Sequence, residues 1–263
     1  MILYNKFKLA LNDKKTWAII LSSDLHFGSL KSVSGVDIRA DKKNQVDRII
    51  NMKEQHNIEI VISAGDLTEY GVDGQFCLCW RKNKEDELNP MIKNWVEPIE
   101  NVGIDVLLTI GNHDTYTGHP YFYKPVFQYI KKKHNATYYP CLWMEYSGCY
   151  KYTRNNILFL SLGIYPKNLK FLKKNLPKSK NDPIIIFYHY NTVDEPYSDW
   201  WKQKEKDAFY KVIKDYNIIA IINGHYHVTY EKEWRGFRIF NGGGSQMVRF
   251  NMKGTEITSV DFI

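Results

Sequence analysis

Five of the eight histidines, His26, His113, His189, His225 and His227, stand at or just past the C-terminal end of a short apolar run. Asp24, Asp66, Asn112 and Asp114 hold the same kind of position. Carboxylates, imidazoles and one amide oxygen, with no cysteine among them, suit Mn, Fe, Zn, Co or Ni and disfavour a thiolate zinc site. The set is larger than a single tetrahedral ion needs. Two ions sharing a bridging carboxylate would use it, and cations roughly 3.5–4 Å apart are suited to attack on phosphate esters. Residues i and i+2 of an extended segment face one side, so Asp24 is expected to point with His26, and His225 with His227. Gly65 before Asp66 and Gly111 before Asn112 let the backbone turn sharply and come close to an ion. His56, His119 and His134 fall outside the pattern, and no role is assigned to them.

Apolar runs of five to seven residues, rich in Ile and Val, must position these groups. Trp17 to Leu21 leads into Asp24 and His26, Ile58 to Ser63 into Asp66, and Ile104 to Ile110 into Asn112, His113 and Asp114. Ile184 to Tyr188 leads into His189, and Ile218 to Ile222 into His225 and His227. Such runs, bounded by glycine or polar residues, read as buried strands. Helical patterning falls between them, at about 41–56, 121–133, 166–175 and 201–216. Strands alternating with helices predict a layered α/β architecture, and ligands bind such sheets at the strand C-terminal ends. From Thr229 onward, alternating stretches at 230–234, 237–241, 246–250 and 256–262 are separated by Arg-Gly, Gly-Gly-Gly and Lys-Gly. They predict an antiparallel meander. No linker or repeat divides the chain, so a single domain over 1–263 is expected, with substrate-access insertions at about 69–101 and 115–150. Tyr116, Trp200 and Trp201 follow site motifs. They are expected to shape substrate access, by stacking a nucleobase or by packing under loops.

The ordered blocks Asp24-x-His26, Gly65-Asp66, Gly111-Asn112-His113-Asp114, His189 and Gly224-His225-x-His227 together resemble the calcineurin-like metallophosphoesterase superfamily. The resemblance implies an α/β fold, a four-layer α-β-β-α sandwich of two mixed sheets flanked by helices, with the metal site at strand C-terminal ends. It implies two divalent ions, Mn, Fe, Zn, Co or Ni. Asp24, His26, Asp66 and His227 would hold one; Asp66, Asn112, His189 and His225 the other. A hydroxide between them would attack phosphorus. His113 is implied to stay off the metals and to donate a hydrogen bond or proton to the leaving oxygen. Asp114 would orient its ring, or alternatively cap a turn. The block Gly65-Asp66-Leu67-Thr68-Glu69 lacks the Asp-Arg of protein Ser/Thr phosphatases and looks more like class III cyclic-nucleotide phosphodiesterases and general phosphoesterases. The implied activity is hydrolysis of phosphodiester or phosphomonoester bonds in small phosphoesters, nucleotides included. A nuclease acting on DNA or RNA and a non-catalytic protein-binding scaffold of the same fold are the other readings.

Composition sets the outer limits. With 44% hydrophobic and 25% charged residues, the 263-residue chain is neither disordered nor collagen-like. Its four cysteines (77, 79, 141, 149) are too sparse for a disulfide scaffold and too oddly spaced for a zinc knuckle. The N-terminus has no signal-peptide pattern and no apolar run approaches a membrane span, so a soluble cytoplasmic protein with no membrane partner is expected. The net charge of +7 allows a nucleic-acid partner without favouring one over a small phosphate ester.

Overall fold

The computed structural model describes residues 15–28, 38–71, 86–115, 125–136, 148–193 and 198–263. In chain order the first half contributes β1 (Thr16–Leu21), α1 (Ile38–His56), β2 (Ile58–Ala64), α2 (Leu88–Met91), a π-helical turn (Ile92–Val96), α3 (Glu97–Asn101), β3 (Asp105–Thr109) and α4 (Pro125–His134). The second half contributes β4 (Cys149–Arg154), β5 (Ile157–Leu162), α5 (Leu169–Asn175), β6 (Ile184–Phe187), α6 (Gln203–Ile213) and β7 (Ile218–Asn223). It closes with β8 (Tyr230–Trp234), β9 (Phe237–Asn241), β10 (Val248–Lys253) and β11 (Glu256–Phe262).

Two mixed sheets result, in the orders β11-β10-β1-β2-β3 and β4-β5-β6-β7-β9-β8. The strands β1, β2 and β3 run parallel, as do β5, β6, β7 and β9. Parallel strands covered on both faces read as continuous apolar runs, and all seven residues of β2 are buried. Between the sheets Phe240 of β9 meets Phe250 of β10 edge to face at 4.8 Å. Ser161 of β5 donates to Thr109 of β3 at 2.9 Å. Helices flank the pair. Asn168 caps α5 by accepting from the Phe171 N–H, and Phe209 of α6 packs against Tyr188 just past β6.

Three features differ from the sequence reading. The C-terminal stretches form two separate antiparallel hairpins, not one meander. The β8–β9 hairpin extends one sheet, whereas β10–β11 crosses to the other and pairs with β1. Gly242-Gly243-Gly244 lies at that crossing, and a Cβ on Gly242 would stand 2.5 Å from Leu21 Cγ. The β4–β5 hairpin was not anticipated; Asn155 and Asn156 turn it with φ of 49° and 61°, the left-handed pair favoured in two-residue hairpins. The helical segment from Leu88 to Asn101 was also unanticipated, because its periodicity is interrupted by a π turn. Cys77, Cys79, Cys141 and His119 lie outside the described residues, whereas Cys149 is buried in β4. No described helix is long and apolar enough to cross a membrane.

Candidate metal centre

The loops after β1 and β2 run side by side. Their ladder continues past the strands, with Ser22 N–H donating to Ile62, Asp24 N–H to Gly65 and His26 N–H to Asp66. Asp24, His26, Asp66, His225 and His227 all have left-handed backbone, at φ 56°, 48°, 49°, 73° and 56°. These pairs converge through left-handed turns, not through the alternation of an extended strand. Non-glycine residues rarely adopt this conformation, and such strain clusters where a site over-determines it. The glycines serve the same crowding. A Cβ on Gly111 would stand 2.1 Å from Asp66 Oδ1, and one on Gly65 would stand 2.6 Å from His189 Nδ1.

Among the described residues three clusters of potential ligand atoms result, each with its atoms within 4.8 Å of one another: Asp24, His26, Asp66 and His227 in the first, Asp66, His189 and His225 in the second, and His26, Glu69 and His113 in a third. In the first, His26 Nε2 lies 3.1 Å from His227 Nε2, which lies 3.4 Å from Asp24 Oδ1. In the second, His189 Nε2 lies 3.1 Å from Asp66 Oδ2, 3.0 Å from Asn112 Oδ1 and 3.2 Å from His225 Nδ1. Second contacts aim the rings. His189 Nδ1 donates to the Ala64 carbonyl at 2.7 Å, and His26 Nδ1 lies 2.7 Å from Glu69 Oε2. Each partner can accept the Nδ1 proton, which in the neutral ring would leave Nε2 to face its cluster as a metal-ligating histidine requires. Asp24 Oδ2 is buried with no hydrogen-bond partner among the described residues. An unpartnered buried carboxylate oxygen beside converging imidazole lone pairs fits divalent cations.

The electrostatics are correspondingly polarised. Burial would raise the Asp66 carboxyl, but the His189, His26 and His113 imidazoles outweigh it and hold the group well below the usual carboxylate range. Burial opposes the charge on His189, yet Asp66 carries that ring up to about 9. Burial and the neighbouring His189 push His225 down to about 3. Divalent cations would take the place of the protons these groups share.

His113 stands beside the first cluster. Its ring meets His26 edge to face at 4.6 Å, and its backbone N–H donates to Asp66 Oδ1 at 2.8 Å. Its Nδ1 faces Glu69, 3.0 Å from the carbonyl oxygen and 3.5 Å from Oε1. Burial alone would lower this imidazole, but the Glu69 hydrogen bond and the Asp66 and Glu69 charges carry it up to about 9. Asp114 is engaged elsewhere. Its Oδ1 accepts from Thr68 N–H and Oγ1, and its Oδ2 from Leu67 and Gly111 N–H. Those four bonds are those of a turn cap, joining the loop after β2 to the loop after β3.

Some participants were not legible as such. Glu69 stands past the Gly65-Asp66 block with no strand-end signal of its own, yet it contacts both His26 and His113. Lys42 and Gln45 of α1 are buried and both donate to the Gly244 carbonyl, at 2.9 and 3.1 Å. Gln45 also accepts from Ser22 Oγ, which ties the helix to the loop carrying Asp24. Trp201 is a correction. It is 1% exposed, donates to the Asn191 carbonyl and packs on Tyr188 and Phe209, so it belongs to the core and not to substrate access. Trp200, in contrast, is 44% exposed beside His225. Tyr116 lies outside the described residues. His134 accepts from the Leu108 N–H and stacks on Tyr150, a structural position remote in role from the clusters.

Asp, His and Asn side chains gathered at the strand ends of two mixed sheets form a candidate site for divalent cations. The family model for calcineurin-like phosphoesterases matches residues 18–229, and the chain belongs to that family. Among solved structures it is similar to a putative 5′-nucleotidase from Staphylococcus aureus, at 15% identity and a TM-score of 0.58. That alignment covers 95% of this chain and 54% of the other, so the chain spans about half the length of that protein. It is also similar to GAP50, described as the anchor in the inner membrane complex of Plasmodium, at 15% identity and a TM-score of 0.54, over 94% of this chain and 88% of that one. At such identities the likeness concerns the fold. No curated protein sequence matches at a significant level.

Proposed function

We propose that the chain hydrolyses small phosphodiesters or phosphomonoesters, nucleotides included, at a centre of two divalent cations that share Asp66. The observation that carries this reading is the pair of ligand clusters meeting at Asp66. Asp24, His26, Asp66 and His227 would hold one cation, and Asp66, Asn112, His189 and His225 the other. Divalent cations in such a site supply positive charge against the phosphoryl oxygens and a water acidic enough to act as nucleophile near neutral pH. The remaining chemistry falls to the chain. Glu69 and the Ala64 carbonyl present His26 and His189 as neutral ligands. His113, held through Nδ1 by Glu69, turns Nε2 to the substrate and donates a hydrogen bond or proton to the leaving oxygen. Asp114 keeps the two loops in register.

Hydrolysis of bis(p-nitrophenyl) phosphate by the Mn²⁺-loaded protein, abolished by EDTA, is the expected result. A metal-saturated protein that cleaves no phosphoester would overturn the proposal, and one that instead binds another protein would revert to a scaffold. Cyclic nucleotides and single-stranded oligonucleotides, compared at matched concentration, separate small substrates from nucleic acid. Preferential, steeply salt-dependent cleavage of the oligonucleotides would mark a nuclease.

A further inference from the structure

Between residues 146 and 181 the chain has no carboxylate side chain, yet it carries seven lysines and one arginine. Arg154 and Lys180 find counter-ions on other elements, Glu59 and Asp105 for the one and Asp215 for the other. Lys151, Lys170 and Lys174 hold no ion pair with any described residue. All three line one cavity of about 620 Å³. Lys170 and Lys174 stand four residues apart on α5, and Lys151 reaches the same cavity from β4. Like charges at that helical spacing repel one another, so an anion between them relieves the arrangement. The floor of the cavity is aromatic. His134 and Tyr150 stack at 4.3 Å and 5°, and buried Phe171 shares the lining. Both stacked rings are fastened to Leu108 of β3. Tyr150 Oη donates to its carbonyl at 2.8 Å, and His134 Nε2 accepts from its N–H at 3.3 Å. Nε2 therefore presents a lone pair, and the neutral imidazole carries its proton on Nδ1. Burial and the nearby Lys133 hold this ring neutral, down to about 3. No described group accepts the Nδ1 proton, and no described carboxylate lines the cavity. Residues 137–147, outside the described set, contain one carboxylate, Glu145, against three ammonium groups. The carbonyl end of α4 at His134 opposes an anion, and those ammonium groups outweigh it.

We infer that this cavity is a second anion site, separate from the metal centre, and that it takes a small molecule bearing a phosphate group. Its volume suits a small molecule, for which pockets of roughly 300–1,000 Å³ are usual. A phosphoryl group presents three oxygens and up to two charges to three ammonium groups, whereas a single carboxylate leaves at least one of them unmatched. Inorganic phosphate and an organic phosphate share this chemistry, the organic part of the latter resting on the aromatic floor. No residue of the three ligand clusters lines the cavity, so the inference does not rest on phosphoester hydrolysis.

Calorimetric titration of the Mn²⁺-loaded chain with inorganic phosphate and with phenylphosphonate, which has no ester bond to cleave, tests the inference. One class of sites is expected to weaken about tenfold in K170A/K174A and about threefold in Lys151→Ala, with Tm retained because all three side chains are exposed. The same class is expected to weaken as NaCl is raised and to persist in Asp66→Asn, which alters the metal centre alone. Tighter binding of phenylphosphonate identifies an organic phosphate as the ligand, and equal or weaker binding identifies the free ion. Equal affinities in the native chain and both lysine variants would overturn the inference, as would loss of every phosphate site in Asp66→Asn. Weakening in K170A/K174A with none in Lys151→Ala would leave a charged helix face in place of a cavity, and would also overturn it. So would a single-stranded oligonucleotide that binds the native chain and is released by the lysine substitutions while neither small probe binds there, since that marks a nucleic-acid surface.

Discussion

In the proposed mechanism Glu69 links two tasks, because its carboxylate faces both His26 and His113. The His113 imidazole, carried up to about 9, keeps its proton across the neutral range and gives it up as pH rises past that value. Glu69→Gln removes the charge that sustains this, so the alkaline limb of the kcat–pH profile is expected to move to lower pH. An unmoved limb would separate Glu69 from His113. For His113→Ala, kcat is expected to fall about 10²- to 10⁴-fold with the metal content unchanged, measured by turnover alongside elemental analysis. Asp114 is the site residue whose chemical neighbourhood sequence alone reads least well. Adjacency to a histidine suggests ring orientation, whereas the hydrogen bonds go to Leu67, Thr68 and Gly111. Asp114→Ala strands those buried donors at about 1–3 kcal/mol for each group left unsatisfied. Its signature is a lowered denaturant midpoint.

At the level of elements, strand-end placement was legible because buried parallel strands are short apolar runs with a polar or glycine stop, and Ile58–Ala64 and Ile218–Asn223 are of that kind. The destination of the C-terminal hairpins was not legible. Local alternation specifies a hairpin but not the sheet it joins, and β10 joins β1 through contacts more than two hundred residues apart in the chain. Lys42 was equally hidden, since a lysine in a helix reads as solvated until its burial is known. Burial lowers its ammonium, Asp41 opposes that, and its hydrogen bond to Gly244 holds the loop that passes Asp24 and His227. Lys42→Met is expected to weaken Mn²⁺ binding about 10- to 100-fold at the Asp24–His227 cluster and less at the His189–His225 cluster. Calorimetric titration resolves the two, and equal weakening at both would show that the lysine supports only the fold.

For the molecule as a whole, the excess of seven positive charges counts Asp24 and Asp66 as ordinary anions. Two divalent cations at the proposed centre would make the crevice more positive than that count, which would suit small phosphate anions without any appeal to nucleic acid. The centre also stitches the sheets. Asp24, His26, Asp66 and Asn112 follow strands of one sheet, and His189, His225 and His227 follow strands of the other. Cation binding is therefore expected to stabilise the sandwich. About 2.7 kcal/mol is expected at a free-ion concentration one hundred times Kd, read as a rise in Tm over chelator-treated protein. The most direct test of the account is the number of Mn²⁺ ions bound per chain at saturation, measured by native mass spectrometry on the native protein and on Asp66→Asn. The shared-carboxylate centre predicts two ions for the native chain and fewer for the variant. A native chain that saturates with one ion, or a variant that still holds two, would contradict it.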